Sequence, residues 1–184
     1  MKIVLNGCYG GFSLSYEAMV LYWHAKGRDL YFYKDISSYD DYTKVHKYER
    51  ITLQKIRESN TSRYIYCTTE DQGEYIFNFP EHVVNDKDID RTDPILISVV
   101  ETMGSEAASS PYAKLYIAEI PNGTQYKIDT YDGIEELITK DDDIWRTAGF
   151  QYQSMQTKIK IENMWDTMKS KSIPDPDLTF KEEN

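Results

Sequence analysis

Cysteine is scarce in this chain, and long apolar runs are absent. Cys8 and Cys67 are the only cysteines among 184 residues, too few for a framework of disulfide bonds. No stretch approaches the roughly 18 consecutive apolar residues that a membrane-spanning helix needs. The opening residues, Met1 to Asn6, also lack the long apolar region of a signal peptide. These absences argue against a disulfide scaffold and a membrane protein, and they predict a protein of the cytoplasm.

Glycine and proline are infrequent as well, with nine and six residues respectively. Their low number excludes a collagen-like chain, and an apolar content of 40% excludes a disordered one. The length fits one domain, since domains typically contain roughly 100–200 residues. The sequence therefore predicts a single compact α+β domain over 1–150, with a mixed α/β arrangement as the open alternative. A C-terminal helix over 151–172 and a disordered tail over 173–184 are expected to follow.

The acidic side chains that give the chain its net charge of −10 are concentrated in its middle. Residues 61–150 contain 18 aspartates and glutamates but only 7 lysines and arginines. Such a region repels phosphate backbones, which disfavours general nucleic-acid binding. The same charge steers a protein toward a basic surface on a partner. The alternative is a solvated acidic face that keeps a small protein in solution.

The N-terminal residues predict a strand, a glycine-rich bend and a helix, in that order. Lys2–Asn6 alternates and is rich in aliphatic residues, which is typical of a strand, and we expect it to be central in a sheet. Three glycines among five positions break this pattern within Gly7–Ser15, the segment that we call the glycine bend. Helical spacing then follows over Tyr16–Lys26, with Ser13 or Ser15 as the N-cap.

The rest of the chain alternates strand-like and helix-like segments. Asp93 and Pro94 form a typical helix start, with the aspartate as the cap and the proline at the first helical position. The spacing over 42–58 also fits a helix, although its β-branched residues weaken this prediction, so about three helices are expected. Residues 134–138 fit either a strand or a short helix. The remaining predictions are helices over 95–103 and 154–171, and two hairpins that join 63–68 to 74–79 and 114–120 to 125–131.

Several separated segments of the chain share a resemblance. They are Met1–Ser15, Glu17–Ala18, Arg91–Leu96, Val99–Glu101, Gly104, Ala107, Ala113, Leu115, Glu119–Pro121 and Tyr131–Gly133. Together they resemble a family of uncharacterised bacteriophage and prophage proteins, which begin with a short strand, a Cys-aromatic-Gly-Gly-Phe loop and a Leu-Ser helix start. Members often end soon after a His-Arg-Thr-Trp-like segment, whereas Trp145–Thr147 lacks the histidine here and is followed by residues 148–184. The resemblance implies a phage origin and an accessory, host-facing role, such as counter-defence, and it implies no particular activity.

The glycine bend is the first candidate for a ligand site. Backbone amides between a strand and a helix can converge on an anion at the positive end of the helix dipole. The spacing matches neither the dinucleotide-binding glycine motif nor the P-loop. A tight connection that lets Phe12 and Leu14 pack explains the same residues, so both interpretations stay open. The candidate ligand-binding residues are Asn6, Gly10, Gly11, Ser13, Ser15 and Arg146.

Metal ligands are not indicated by the sequence. Asp86, Asp88, Asp90 and Asp93 alternate in the manner of calcium ligands. However, an arginine occupies the position at which an EF-hand loop needs glycine, and an isoleucine replaces its bidentate glutamate. The three histidines show no spacing typical of a zinc site. We therefore predict no metal and no cofactor, and we expect an exposed acidic loop.

Cys8 is the one candidate nucleophile. The start of the following helix would lower its thiol pKa, and His24 or His82 would act as the base. A cysteine between a strand and a glycine turn is, alternatively, a small packed side chain. The catalytic interpretation depends on distances that the sequence does not contain.

Tyrosine is unusually frequent, with 16 residues. Its large ring and polar hydroxyl suit protein interfaces and base-stacking pockets, although half-buried positions in sheets are the simpler interpretation. The leading hypothesis is a non-catalytic binding module whose acidic, tyrosine-rich surface, within 81–106 or 129–143, engages a host protein. Sequestration of a small nucleotide-like ligand at the glycine bend is its variant.

Two other functions stay open at this stage. A small enzyme acting on a nucleotide or a modified base would hold phosphate at Gly10 and Gly11. It would need Arg146 and a carboxylate to converge on the same place. Mimicry of a nucleic-acid backbone would instead require carboxylates aligned on one face.

Overall fold

The computed structural model describes residues 1–37, 46–59, 65–139, 146–147 and 155–169. The described residues form five α-helices and several antiparallel sheets, which confirms the α+β fold class. No helix among them has both the length and the apolar character that crossing a bilayer requires. The predicted tail over 173–184 lies outside the described residues. In chain order the elements are β1 (Lys2–Asn6), α1 (Tyr16–Ala25), β2 (Tyr31–Asp35), β3 (Tyr48–Ile51), α2 (Leu53–Glu58), β4 (Ile65–Thr68), β5 (Tyr75–Ile76), α3 (Pro94–Met103), α4 (Ser105–Ala108), β6 (Leu115–Glu119), β7 (Gln125–Tyr131), β8 (Ile134–Ile138), β9 (Arg146–Thr147) and α5 (Met155–Lys169).

Contacts divide the chain into two compact units. The first unit contains Met1–Lys26 and Asp86–Trp165, and the second contains Gly27–Asn85 and Asp166–Asn184. The first unit holds β1, paired with β6, and β7, which lies between β8 and β9. Its apolar interior includes Ile3 and Tyr126, which are both buried.

The strand pairing in the first unit corrects two predictions. β6 and β7 do not form a hairpin, because β6 pairs with β1 over five residues whereas β7 pairs with β8. Alternating apolar residues identify a strand but do not specify its partner. β1 is also not central: it belongs to a two-stranded sheet, and its second edge is covered by other groups. The Val4 amide donates to the carbonyl oxygen of Arg91 at 2.9 Å, and the Asn6 amide donates to Glu135 Oε2 at 3.0 Å.

The helix boundaries of the first unit follow the capping residues. Ser15 is the N-cap of α1, and its hydroxyl accepts the Ala18 amide hydrogen at 3.1 Å. Asp93 caps α3, with Pro94 at the first helical position. Gly104 ends α3 with a φ of +82°, in the left-handed region where glycine carries no steric penalty. These predictions are confirmed, and the helix expected over 154–171 is present over Met155–Lys169.

The second unit contains a four-stranded antiparallel sheet in the order β4-β2-β3-β5. The helix predicted over 42–58 is wrong over Tyr48–Ile51, which is a strand paired with β2. Leu53–Glu58 is helical, and residues 42–45 lie outside the described residues. Pairing with an available strand outweighs weak helical spacing in residues with high β propensity. The hairpin predicted from 63–68 and 74–79 is also wrong, because β4 pairs with β2 and β5 pairs with β3.

Asp93 is a carboxylate of the first unit that accepts several hydrogen bonds. Its Oδ2 accepts hydrogen bonds from the Tyr22 hydroxyl at 2.8 Å and from Lys26 Nζ at 2.7 Å. Burial alone would raise the pKa of Asp93, but the hydrogen bonds from Lys26, the Ile95 amide and Tyr22 outweigh it and lower the pKa. Burial and the same carboxylate raise the pKa of the Tyr22 phenol.

We expect a matching pH dependence of stability. A carboxyl whose pKa is lowered by folding stabilises the protein above its unfolded pKa of about 3.9 and loses this contribution as the pH falls. The free energy of unfolding, measured with urea, should therefore fall between about pH 5 and about pH 2. Asp93→Asn keeps a capping side chain but removes the charge, so it should flatten this fall. An unchanged slope in Asp93→Asn would contradict the assignment.

Candidate functional site

The side chain of Asn6 holds the glycine bend in place. It is fully buried, and its amide nitrogen donates to the carbonyl oxygens of Cys8 at 2.6 Å and Gly133 at 2.7 Å. Its Oδ1 accepts the Lys114 amide hydrogen at 2.8 Å and lies 3.5 Å from the Cys8 thiol. Both donors and the acceptor are thus used within the first unit. Asn6 ties the bend to two segments that lie far away in sequence.

The glycines of the bend allow two other segments to approach closely. A Cβ on Gly10 would lie 1.5 Å from the carbonyl oxygen of Tyr112. On the other side, a Cβ on Gly133 would lie 2.6 Å from the carbonyl oxygen of Tyr9. Gly133 has a φ of +90° and follows Asp132 with a φ of +48°, as in the two-residue turn that favours Asp-Gly between antiparallel strands. The bend is therefore wedged between the Tyr112 segment and the β7–β8 turn.

The Ser15 side chain and the Ser13 backbone carbonyl form hydrogen bonds within the first unit. The Ser15 hydroxyl caps α1 and donates to the carbonyl oxygen of Ala107 at 2.7 Å. The carbonyl oxygen of Ser13 accepts the Ser110 amide hydrogen at 3.1 Å. Gly11 has a φ of +84° and open space where a Cβ would be. Ligand binding by the bend stays a prediction, and these hydrogen bonds favour a supporting role.

Arg146 is not brought to the bend by the backbone. It lies in β9 and pairs with Tyr126 of β7. The bend contacts the turn that follows Tyr131, at the other end of β7. Five residues of strand separate these two points, a distance of about 17 Å. The convergence that the enzymatic hypothesis requires is therefore not formed by the strands that carry these residues.

The candidate nucleophile and the acidic loop both have local partners. The Cys8 thiol is half-buried and donates to the carbonyl oxygen of Tyr112 at 3.2 Å. His24 lies in α1, and His82 belongs to the second unit. Asp86 accepts the Leu14 amide hydrogen at 2.8 Å, and Asp90 accepts that of Thr92. Within the described ranges, no group of three histidines, cysteines or carboxylates is arranged to hold a metal ion.

The same close contacts bring exposed tyrosines onto neighbouring segments. Tyr131 is 79% exposed, Tyr9 69% and Tyr112 67%. The Tyr9 backbone lies beside Gly133, and Gly133 follows Tyr131 by two residues. The Tyr112 backbone lies against Gly10. Tyr116 is partly exposed, and its hydroxyl donates to the carbonyl oxygen of Glu135 at 3.2 Å. We call these four exposed residues, which lie on segments in contact with one another, the tyrosine face: Tyr9, Tyr112, Tyr116 and Tyr131.

Two carboxylates lie opposite each other beside the tyrosine face. Asp129 of β7 pairs directly with Glu136 of β8, and both are exposed. Alternation along β7 places Asp129 on the same side of the hairpin as Tyr131. Like charges at directly opposed positions destabilise a sheet, and no lysine or arginine of the described residues forms an ion pair with either. Burial and, after it, the charges of Glu136 and Glu135 raise the pKa of Tyr116.

A buried ion pair supports this hairpin from the inside. Arg91 forms an ion pair with Glu135 at 3.0 Å, and both side chains are largely buried. The guanidinium carbon of Arg91 lies 3.2 Å from the centre of the Phe12 ring. Since Glu135 also accepts the Asn6 amide hydrogen, the pair joins β8 to β1 and to the bend. Sequence reasoning missed this pair, and its one signal was a glutamate at an inward position of β8.

Sequence reasoning also missed Tyr9 and Tyr112 as candidate residues. Both lie in loops, next to glycine and proline respectively, rather than in strands. That location was a signal, because a large ring in a loop has few neighbours to cover it.

No family model, curated protein or solved structure matches this chain. Its function is therefore inferred from the residues described above.

Proposed function

We propose that this chain is a non-catalytic binding protein of phage type, which engages a basic surface of a host protein through the tyrosine face. It acts in the host cytoplasm as an accessory protein, for example in counter-defence. The resemblance of Met1–Ser15 and the later segments to phage proteins supports the host-facing role. The chemistry of the surface supports the kind of partner.

One observation carries the proposal: three highly exposed tyrosines lie on segments that adjoin the opposed Asp129 and Glu136, with which no lysine or arginine of the described residues forms an ion pair. Tyrosine offers a large contact area at a small entropy cost, and it is enriched among the residues that dominate binding energy. Asp129 and Glu136 repel each other in the free protein. Lysines or arginines of a partner would relieve that repulsion and guide the partner to this surface.

A nucleotide-like ligand at the glycine bend is less favoured than a protein partner at the tyrosine face. The polar side chains of Asn6 and Ser15 already form hydrogen bonds within the protein. Asp132 and the carboxylates of the hairpin would repel phosphate groups close to the bend. The enzymatic alternative is further disfavoured by the position of Arg146. A protein partner would bind the exposed tyrosines and carboxylates, and no buried hydrogen-bond donor would have to leave its present acceptor.

Removing the two opposed carboxylates should affect stability and binding in opposite directions. We expect Asp129→Asn with Glu136→Gln to raise the free energy of unfolding by about 0.2–1 kcal/mol, because it removes the repulsion between them. The same change should lower the affinity for the partner by about tenfold or more and reduce the salt dependence of binding. The partner is first captured from host extract, identified by mass spectrometry, purified and titrated by calorimetry.

Glu106→Gln is the matched control, because it removes an exposed carboxylate in α4 away from the hairpin. We expect this variant to bind the partner with unchanged affinity. If the double variant bound the partner as tightly as the unmodified chain at low salt, the proposed role of the carboxylates would be wrong.

A further inference from the structure

The second unit has a sheet edge that differs from its opposite edge. On the β4 side, Val83 pairs with Thr68, and the Val84 amide donates to the carbonyl oxygen of Cys67 at 2.8 Å. This short extended segment covers the edge. β5 is the last strand on the other side, and no strand among the described residues pairs with its outer edge.

The backbone of β5 presents regularly spaced donors and acceptors at this outer edge. The Arg50 amide donates to the carbonyl oxygen of Glu74 at 2.9 Å, so Glu74 faces β3. Since successive residues of an antiparallel strand alternate between facing the partner and facing away, Ile76 also faces β3. The amide and carbonyl groups of Tyr75 therefore point outward, and so does the Phe77 amide, which shares a peptide plane with the Ile76 carbonyl; β5 ends at Ile76.

Aromatic side chains accompany these backbone groups. Tyr75, Phe77 and Phe79 occupy alternate positions, and the two phenylalanines are 59% and 57% exposed. Lys47 Nζ lies 4.6 Å from the centre of the Tyr75 ring and 5.8 Å from that of Phe77. The Phe79 ring packs edge-on against Tyr66, with ring centres 4.9 Å apart. We call this surface the aromatic edge; exposed apolar side chains on an open strand are typical of a site for strand addition.

The charges around the aromatic edge discriminate between possible occupants. Residues 70–81 contain four carboxylates, Glu70, Asp71, Glu74 and Glu81, and no lysine or arginine, so they outnumber the one lysine, Lys47, that lies over the Tyr75 and Phe77 rings. The nearby Arg50 is already bound to Asp71 at 2.9 Å. A second copy of this chain would bring two acidic segments together, whereas a basic strand would be attracted.

We propose that the outer edge of β5 accepts, as a fifth strand, an extended segment of another protein in which apolar residues alternate with lysine or arginine. Main-chain hydrogen bonds to Tyr75 and Phe77 provide the affinity, and the aromatic rings accommodate the apolar side chains. The basic residues face the carboxylates of 70–81. This site lies in the second unit and does not depend on the tyrosine face.

A short synthetic peptide of alternating lysine and valine tests the proposal on the full chain. Amide hydrogen exchange, followed by NMR, should slow by about tenfold or more at Tyr75 and Phe77 when the peptide is saturating. A glutamate–valine peptide should not bind. A lysine–valine peptide with N-methyl groups on alternate residues should bind at least about tenfold more weakly, because it lacks the donors that strand addition uses.

Variants of the chain separate strand addition from loss of folding. Tyr75→Pro removes an amide that faces away from β3, a position at which a proline is tolerated in an edge strand, so the sheet should remain intact while peptide binding is lost. Phe77→Ser should weaken binding without affecting the β3–β5 ladder. Ile159→Ser, at an exposed apolar position of α5 outside both proposed surfaces, should bind the peptide normally.

Three results would overturn the proposal. One is equal binding of the N-methylated peptide, and another is peptide binding without any change in exchange at Tyr75 and Phe77. The third is protection of these two amides in the free protein. Protection that increases with protein concentration would assign the edge to a second copy, and concentration-independent protection would assign it to another segment of the same chain.

Discussion

Replacing Gly10 with alanine should lower the free energy of unfolding by about 3 kcal/mol. The new Cβ would lie 1.5 Å from the carbonyl oxygen of Tyr112, which is backbone and cannot be moved by a change of rotamer. Either the bend or the Tyr112 segment must shift. Because Asn6 ties the bend to Lys114 and Gly133, a shift strains several buried hydrogen bonds at once.

Gly7→Ala is the matched control within the same bend. A Cβ at Gly7 would lie 3.5 Å from the Tyr116 ring, an ordinary van der Waals distance. We expect this variant to change the free energy of unfolding by less than about 1 kcal/mol. Urea denaturation of both variants makes the comparison. Equal stability of Gly10→Ala and Gly7→Ala would mean that the close approach of the bend to Tyr112 is not a structural requirement.

Local chemistry was sufficient to predict the helices of the first unit. Asp93 and Pro94 form the start of α3 as the sequence indicated, and Gly104 ends it. The fold class followed from the same pattern of elements. These features depend on residues close together in the chain, so the sequence contains the information directly.

Strand partners could not be predicted in the same way. β1 pairs with β6, whose residues follow it by more than 100 positions, and β5 pairs with β3 rather than with β4. The turn signal before β7 corresponds to a turn, in which the Thr124 amide donates to the carbonyl oxygen of Pro121, but a turn does not determine which strand its residues will meet. Pairing is decided by burial of both faces after the chain has collapsed, a property of the whole fold.

The candidate site was predicted only in part. The glycine bend was identified from its composition, but the reason for Gly10 is the approach of Tyr112, which no local pattern contains. The acidic stretch 129–143 was correctly singled out as charged, whereas the opposed positions of Asp129 and Glu136 required the register of β7 and β8. Exposure of Tyr9 and Tyr112 likewise depends on which segments surround them.

The second large effect is expected at the tyrosine face. Changing Tyr9, Tyr112 and Tyr131 together to serine should lower the affinity for the partner by about 100-fold or more. Residues that dominate an interface each contribute more than about 1 kcal/mol to the binding free energy. The fold should be retained, since all three rings are mostly exposed. Ile159→Ser is the control, at an exposed apolar residue of α5 that belongs to neither the tyrosine face nor the aromatic edge.

The dissociation constant of the purified partner, measured for the unmodified chain, the triple tyrosine variant and Ile159→Ser, tests the proposed binding role most directly. We predict a loss of about 100-fold for the triple variant and a change of less than about threefold for the control. Unchanged affinity in the triple variant, together with displacement of the partner by a nucleoside diphosphate, would contradict it and would place the binding site at the glycine bend.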